Sequence, residues 1–227
     1  MEKATSLNQA AFVQGTAIYR FGYNSIPNIR INGAPDDTNY NRWSMLHDGN
    51  AYRLYFFKGS TSDTLYQFGY DGQAYTYGHN SIPELKITGA PNDTDYSSFS
   101  MLHDGSTYRL YLRRLGNPTV MYQFGWNGSS YHYGYNSIRV LSVQDFPRDT
   151  DYNRWDMLHD GNAYRLYAFQ LGSNRTFYQG SWNGNVYKYA HNSIPKLNLE
   201  GTPESSLLGS MGMLHDVHHY RFYFRAV

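Results

Sequence analysis

The tetrapeptide Met-Leu-His-Asp begins at Met45, Met101, Met157 and Met213, always 56 residues after the previous copy. Asn-Ser-Ile keeps the same interval at Asn24, Asn80, Asn136 and Asn192, and Tyr-Arg does so at Tyr52, Tyr108, Tyr164 and Tyr220. A fixed interval of this length is the mark of a repeat architecture, in which each unit buries its apolar faces against copies of itself. On these motifs no insertion or deletion interrupts the register. The spacing predicts one domain over residues 1–227 with units at 4–59, 60–115, 116–171 and 172–227.

Within a unit the apolar residues alternate in short runs separated by turn residues, which is a strand pattern. In the second and third units the predicted strands are 99–104, 108–113, 120–126 and 130–135, with Asp104-Gly105 and Asn127-Gly128 as hairpin turns. The segment 82–88 reads as either a fifth strand or a crossover between units. Tyrosine supplies 24 of the 227 residues and aromatics 18%, a composition suited to half-buried strand faces. No segment carries a sustained 3.6-residue period. The expected class is all-β, a four-bladed β-propeller-like toroid, with a four-unit β-barrel or β-prism as the alternative.

The chain would begin with the third and fourth strands of a unit (10–23) and end with the first and second (211–224). One unit would then be completed by both termini, which removes two sheet edges. The repeat decays in that unit. His-Asp-Gly becomes His215-Asp216-Val217, the Trp/Phe position becomes Met211, Asn-Gly becomes Gly15-Thr16, and Pro-x-Asp-Thr becomes Pro203-Glu204-Ser205-Ser206. Three matched sites rather than four are therefore expected.

A formal charge of +1 with 16% charged residues offers no footprint for nucleic acid or an anionic membrane. No run of 18 apolar residues is present, so no membrane insertion is expected. The opening Met1-Glu2-Lys3-Ala4-Thr5-Ser6 lacks the apolar stretch of a signal peptide, which fits a cytoplasmic or a released protein. With no cysteine, disulfides, thiolate catalysis and Cys-type zinc sites are excluded.

Catalysis by the His-Asp pairs is disfavoured, because adjacent residues on a strand face opposite sides and the same pair recurs in every unit. If the first strands are innermost, His47, His103, His159 and His215 would ring the axis. There they would either hold an axial ion or brace the turns. No cofactor is required. The linkers 35–40, 91–96 and 147–152, Pro-x-Asp-Thr-x-Tyr, present oxygens that suit calcium or, equally, Asx-turns. The candidate ligand-binding residues are aromatics beside polar groups. Tyr70-Asp71, Trp126-Asn127 and Trp182-Asn183 sit at hairpin tips, and His79, Tyr135 and His191 precede Asn-Ser-Ile. Trp43, Phe99 and Trp155 open first strands, with Arg42 and Arg154 beside two of them. A flat ring next to amides is what a pyranose needs, although such rings also serve as packing wedges.

The run Asp149-Thr150-Asp151-Tyr152-Asn153-Arg154-Trp155, followed by Tyr164-Arg165-Leu166-Tyr167-Ala168-Phe169, resembles the blades of the tachylectin-2 and tectonin-type β-propeller lectins. The resemblance lies in the repeat organisation of the whole chain and implies a propeller fold and glycan partners; it assigns no site residue. Four-bladed hemopexin domains share the repeat number but not the motifs. Repeated weak sites on one rigid body give avidity for a multivalent surface. A multivalent carbohydrate-binding protein, not an enzyme, is therefore the expected function. The alternative is a protein-interaction or adhesion module of a toxin or surface complex.

Overall fold

The structure, a computed structural model, describes residues 6–204, 206–216 and 218–226. The described residues form strands, turns and loops with no helix, so none is long and apolar enough to cross a membrane. Val217 and Ser205, two of the decayed positions, lie outside them. The chain opens with β1 (Ser6–Val13), β2 (Ile18–Phe21) and β3 (Ile29–Asn32). It continues through β4 (Thr38–His47), β5 (Tyr52–Lys58), β6 (Thr64–Tyr70), β7 (Ala74–Tyr77) and β8 (Glu84–Thr88). The next unit supplies β9 (Thr94–His103), β10 (Tyr108–Arg114), β11 (Asn117–Trp126), β12 (Ser130–Tyr133) and β13 (Val140–Gln144). After it come β14 (Thr150–His159), β15 (Tyr164–Gln170), β16 (Thr176–Trp182), β17 (Tyr187–Tyr189) and β18 (Lys196–Glu200). The chain closes with β19 (Leu207–His215) and β20 (Tyr220–Arg225).

Each unit is an antiparallel meander whose outer edge is shared. β4 pairs β5 and β5 pairs β6. One end of β6 pairs β7, with Phe68 opposite Tyr77, and the other pairs β8, with Thr64 opposite Lys86. β8 then runs parallel to β12 of the next unit. The segment read as strand or crossover is both. The same parallel step joins β3 to β7, β13 to β17 and β18 to β2, so the pairing closes on itself as a ring. β20 pairs β1 from Leu7–Arg225 to Ala11–Arg221, so both termini build one unit. Inner strands begin earlier than the alternation suggests: β9 pairs β10 from Thr94, because an irregularity between Asp95 and Phe99 absorbs Tyr96, Ser97 and Ser98.

The uninterrupted register needs one correction. Ala10 faces Phe222 and Phe21, whereas Phe68 faces the equivalent Leu54 and Tyr77. Ala10 therefore occupies the place of Phe68, and β1 sits two residues out of the sequence register. The extra residues loop out between Val13 and Ile18. Gln9 thereby matches Gln67, each donating to the hydroxyl of a buried tyrosine, Tyr223 and Tyr55. Phe12 matches Tyr70, Trp126 and Trp182.

The four inner strands, β4, β9, β14 and β19, surround the axis, and the core lies in the junctions between units. Those junctions alternate. Trp43 and Trp155, each 2% exposed, wedge two of them, and their indole N–H groups donate to Ser210 and, at 2.7 Å, to Ser98. Arg113 stacks 4.2 Å over Trp155, and Arg225 lies 5.6 Å over Tyr40. In the other two the wedge is Phe99 or Met211, also 2% exposed, and the serine is replaced by Arg42 or Arg154, capping Phe57 at 4.7 Å and Phe169 at 4.5 Å. Residues 42, 43 and 113 thus covary across units with a two-unit period, as chemistry requires: an indole needs an acceptor, and a phenyl or thioether does not. Trp155→Phe should destabilise the chain by about 2 kcal/mol, from lost volume and a weaker cation–π contact. Chemical denaturation would show it; an unchanged midpoint would mean that Trp155 is not a wedge.

Candidate binding site

The repeated Asp, Arg, Tyr and Asn-Ser-Ile residues meet at each junction, at the end of the ring where the histidines lie. Asp48 closes its hairpin as an Asx-turn, Oδ1 accepting from the N–H groups of Asn50 (3.0 Å) and Ala51 (2.8 Å). Its Oδ2 accepts from Arg53 Nε at 3.0 Å and from the hydroxyl of Tyr108, on the next unit, at 2.9 Å. Arg53 Nη1 donates to the carbonyl of Asn80 at 2.5 Å. That carbonyl is presented because Asn80, like Asn24, Asn136 and Asn192, is left-handed (φ 41 to 44°), a region asparagine tolerates better than most residues. Ser81 and Ile82 are pinned to Gln67 through its carbonyl and side-chain Oε1. The second unit repeats every contact, with Asp104, Arg109, Tyr164 and Asn136. So does the third, with Asp160, Arg165, Tyr220 and Asn192.

These residues floor a set of matching clefts. One, about 350 Å³, is walled by Arg53, Asn80, Ile82, Tyr108, Trp126 and Tyr131. Another, about 260 Å³, uses Arg109, Asn136, Ile138, Tyr164, Trp182 and Tyr187. A third, about 320 Å³, uses Arg221, Asn24, Ile26, Tyr52, Tyr70 and Tyr75. At the fourth junction the same groups stand together: Arg165 on Asn192, Tyr220 on Asp160, and Phe12 packed 6.1 Å from Tyr220 and 5.4 Å from Tyr19. Tyr70 bears the same relation to Tyr52, at 6.1 Å. The expectation of three sites rested on the decay of the repeat motifs in this unit; with the two-residue offset Phe12 stands at the place of Tyr70. Isoleucine forms an apolar lip in every unit, with Ile26, Ile82, Ile138 and Ile194 38 to 50% exposed.

Burial pulls each aspartate carboxyl upward, but the turn N–H groups and the arginine, joined by Tyr108 at Asp48 and the Ser106 hydroxyl at Asp104, hold Asp48, Asp104, Asp160 and Asp216 below the ordinary range. Burial pushes the partner hydroxyls of Tyr52, Tyr108, Tyr164 and Tyr220 up. Each cleft therefore carries a fixed Arg–Asp pair of no net charge. Arg Nη2 has no partner in the chain among the described residues.

The aromatic candidates divide sharply. Tyr70, Trp126 and Trp182 are half-buried and line the clefts. Their neighbours Asp71, Asn127 and Asn183 spend Oδ1 on the turn N–H groups two and three residues on. His79, Tyr135 and His191 stand outside the cleft walls, where His79 and His191 lie against the amides of Asn80 and Asn192. Trp43, Phe99 and Trp155 are core wedges, and Arg42 and Arg154 cap rings beside them, so strand-start aromatics are packing residues rather than ligand platforms. The cleft-forming Arg53, Arg109, Arg165, Arg221 and Asn-Ser-Ile residues were visible as motifs. Their perfect recurrence was the signal, because a charged residue kept in all four units needs a partner in all four.

The four histidines do ring the axis with the methionines, around a cavity of only about 10 Å³. Each imidazole packs on the tyrosine of its own hairpin, with ring centroids 4.5 to 4.6 Å apart. Desolvation pushes His47, His103 and His215 down. Among the described residues no group of three or more His, Asp or Glu side chains converges as metal ligands. The linker aspartates are also spent. Asp37, Asp93 and Asp149 accept from the hydroxyls of Tyr66 (2.6 Å), Tyr122 (2.7 Å) and Tyr178 (2.9 Å), tying each linker to the third strand of its unit.

No protein-family model matches the chain, and no curated protein matches it. Among solved structures it is similar to the SapL1 lectin in complex with α-methyl fucoside, with 14% identity and a TM-score of 0.35 over 80% of this chain and 54% of that one. It is similar to the Aleuria aurantia lectin in complex with Fucα1-6GlcNAc, with 13% identity and a TM-score of 0.40 over 92% and 68%. AofleA from Arthrobotrys oligospora aligns with 12% identity and a TM-score of 0.34 over 84% and 51%. The chain thus spans about half the length of two of these proteins. The likeness is one of all-β, propeller-like fold.

Proposed function

We propose that the chain is a four-bladed β-propeller lectin with one saccharide site at each blade junction, binding rather than transforming its ligand. The carrying observation is the repeated cleft: a half-buried Trp, Tyr or Phe faces an arginine whose position is fixed by an aspartate and a left-handed asparagine. The ring face is a platform for sugar C–H groups, and the unpartnered Arg Nη2 is a donor for hydroxyl oxygens. The clefts are of monosaccharide size, and the neutrality of the Arg–Asp pair favours neutral over acidic sugars. The three clefts and the matching groups of the fourth junction lie at the histidine end, which suits simultaneous attachment to a dense glycan surface. Two of the similar proteins, the SapL1 and Aleuria aurantia lectins, are in complex with fucosides, and α-fucosides belong in the first panel of probes.

The test is a glycan array followed by calorimetric titration with the best free saccharide. Saturable binding with more than one site per chain, and agglutination that the free sugar reverses, is the expected result. Folded protein that binds no glycan, or binds surfaces in a way no sugar inhibits, overturns the reading and favours a protein partner.

A further inference from the structure

We propose that a tyrosine hydroxyl at the bottom of each junction cleft, on Tyr131, Tyr187, Tyr75 and Tyr19, is the specificity-determining donor that takes one hydroxyl of the saccharide. The inference rests on the lectin reading and adds to it the group that the ligand must bring. Tyr131, Tyr187 and Tyr75 each line a cleft although they are only 1 to 2% exposed. Tyr19, 1% exposed, holds the same place beside Phe12. Each ring lies against the aromatic wall, 5.2 Å from Trp126, 5.3 Å from Trp182 and from Tyr70, and 5.4 Å from Phe12. At its far end each meets a second phenol across the junction: Tyr131 meets Tyr55, Tyr187 meets Tyr111, Tyr75 meets Tyr223 and Tyr19 meets Tyr167.

The second phenol already accepts a glutamine side-chain N–H, at 2.6 Å from Gln67, Gln123 and Gln179 and likewise from Gln9. Two phenols own two protons, and a bond between them uses one. Among the described residues neither phenol donates to any other group of the chain, so one O–H per cleft is left without an acceptor. Buried donors are seldom left unpaired, and the sealed polar side-chain atoms that lack a partner among the described residues are all guanidinium nitrogens. The spare O–H is therefore open to the cleft. Burial pushes these phenols well above the ordinary range, which keeps them protonated donors at neutral pH. The neighbouring floor groups are committed: Tyr108 donates to Asp48, and Gln67 Oε1 accepts from Ile82 N–H at 2.9 Å. A C–H surface would leave the phenol unpaired. A sugar hydroxyl satisfies it, accepting its proton and passing its own to the second phenol oxygen. The ligand is thus a neutral pyranose with one hydroxyl turned inward, told apart from the analogue that lacks it.

The experiment is calorimetric titration of the full chain with the methyl glycoside of the sugar that ranks first on the array, and with its monodeoxy derivatives. In the wild type one derivative should bind about tenfold more weakly than the parent, or worse. Replacing Tyr19, Tyr75, Tyr131 and Tyr187 together with phenylalanine should weaken the parent by a similar factor and leave that derivative little changed, so that the two bind alike. Phenylalanine keeps every ring in place, and the thermal midpoint should hardly move, because the lost proton has no partner in the chain. A merely structural hydroxyl would shift the midpoint and leave the discrimination intact. Tyr131→Phe alone puts the fold at less risk, and the number of strong sites per chain should fall by one. Variants that bind parent and derivative as the wild type does overturn the proposal while the lectin reading stands; a folded chain that binds no saccharide overturns both.

Discussion

Replacing Trp126 and Trp182 together with alanine should lower avidity for a multivalent glycan surface by about two orders of magnitude while leaving the chain folded. Each indole is half-buried at a hairpin tip, packed against Tyr131 at 5.2 Å or Tyr187 at 5.3 Å, and forms one wall of its cleft. Losing a stacking platform of this kind costs about 1–2 kcal/mol per site, or roughly tenfold in each intrinsic affinity. Because sites on one rigid body bind in concert, the losses multiply at a surface. Titration should show fewer strong sites per chain, with the remainder at Phe12 and Tyr70. The thermal midpoint should move little, since neither indole is a wedge. Unaltered avidity in a folded double variant would remove the aromatic platform, and with it the junction clefts, from the account.

Fold class was legible because it rests on period and alternation, which are properties of single residues along the chain. The sharing of one unit by both termini followed from where Met-Leu-His-Asp falls relative to the ends. The site was less legible, because it is made between units. Asp48 and Tyr108 are 60 residues apart, and nothing local announces that the hydroxyl of one reaches the carboxylate of the other. Trp43 and Trp126 look alike in the sequence, yet one is a core wedge and the other a cleft wall. What separates them is strand position: Trp43 lies on an inner strand, with neighbours on both faces, whereas Trp126 ends a third strand at its exposed tip. The two-residue offset of β1 was hidden for a related reason. Asn-Ser-Ile and Tyr-Arg flank the β1–β2 hairpin, and both keep their 56-residue spacing, so the slip shows only in the pairing of Ala10 with Phe222.

The alternation of the junctions bears on how such a ring holds one register. Four identical junctions would let neighbouring units exchange at no cost. Here an Arg42-type unit faces Phe99 or Met211, and a Ser98-type unit faces Trp155 or Trp43. A misplaced neighbour would leave an indole N–H without its serine, costing about 1–3 kcal/mol. The pattern specifies order around the ring as well as stability.

Asp156→Asn should abolish a loss of stability that the Asp156 carboxyl imposes on the wild-type chain as pH rises from about 4 to about 8. One residue before each axial methionine the units carry Ser44, Ser100, Asp156 and Gly212. Ser44 and Ser100 accept the N–H of the next unit's methionine, each at 2.9 Å, and Asp156 Oδ2 does so for Met213 at 2.6 Å. Glycine is required at 212, where a Cβ would strike the Trp43 ring. Asp156 also accepts from Ser44 across the axis at 3.1 Å and is fully buried. Desolvation outweighs these hydrogen bonds and pushes its carboxyl up to about 8. The folded pKa therefore lies above the unfolded value of about 3.9. The folded state favours the protonated acid, so the group's contribution is greatest below pH 4. It falls as pH rises, and the full cost of a buried carboxylate is reached above pH 8, on the order of 5 kcal/mol. The depressed histidines and aspartates act oppositely, their stabilisation growing as pH rises, so the loss due to Asp156 is isolated by comparing the variant with the wild type at each pH. Asparagine keeps an acceptor for Met213 and offers an N–H to Ser44 without a charge to bury. Thermal melts should coincide near pH 4 and diverge by pH 8, with the variant higher by several degrees; parallel curves would show that Asp156 stays ionised in the fold.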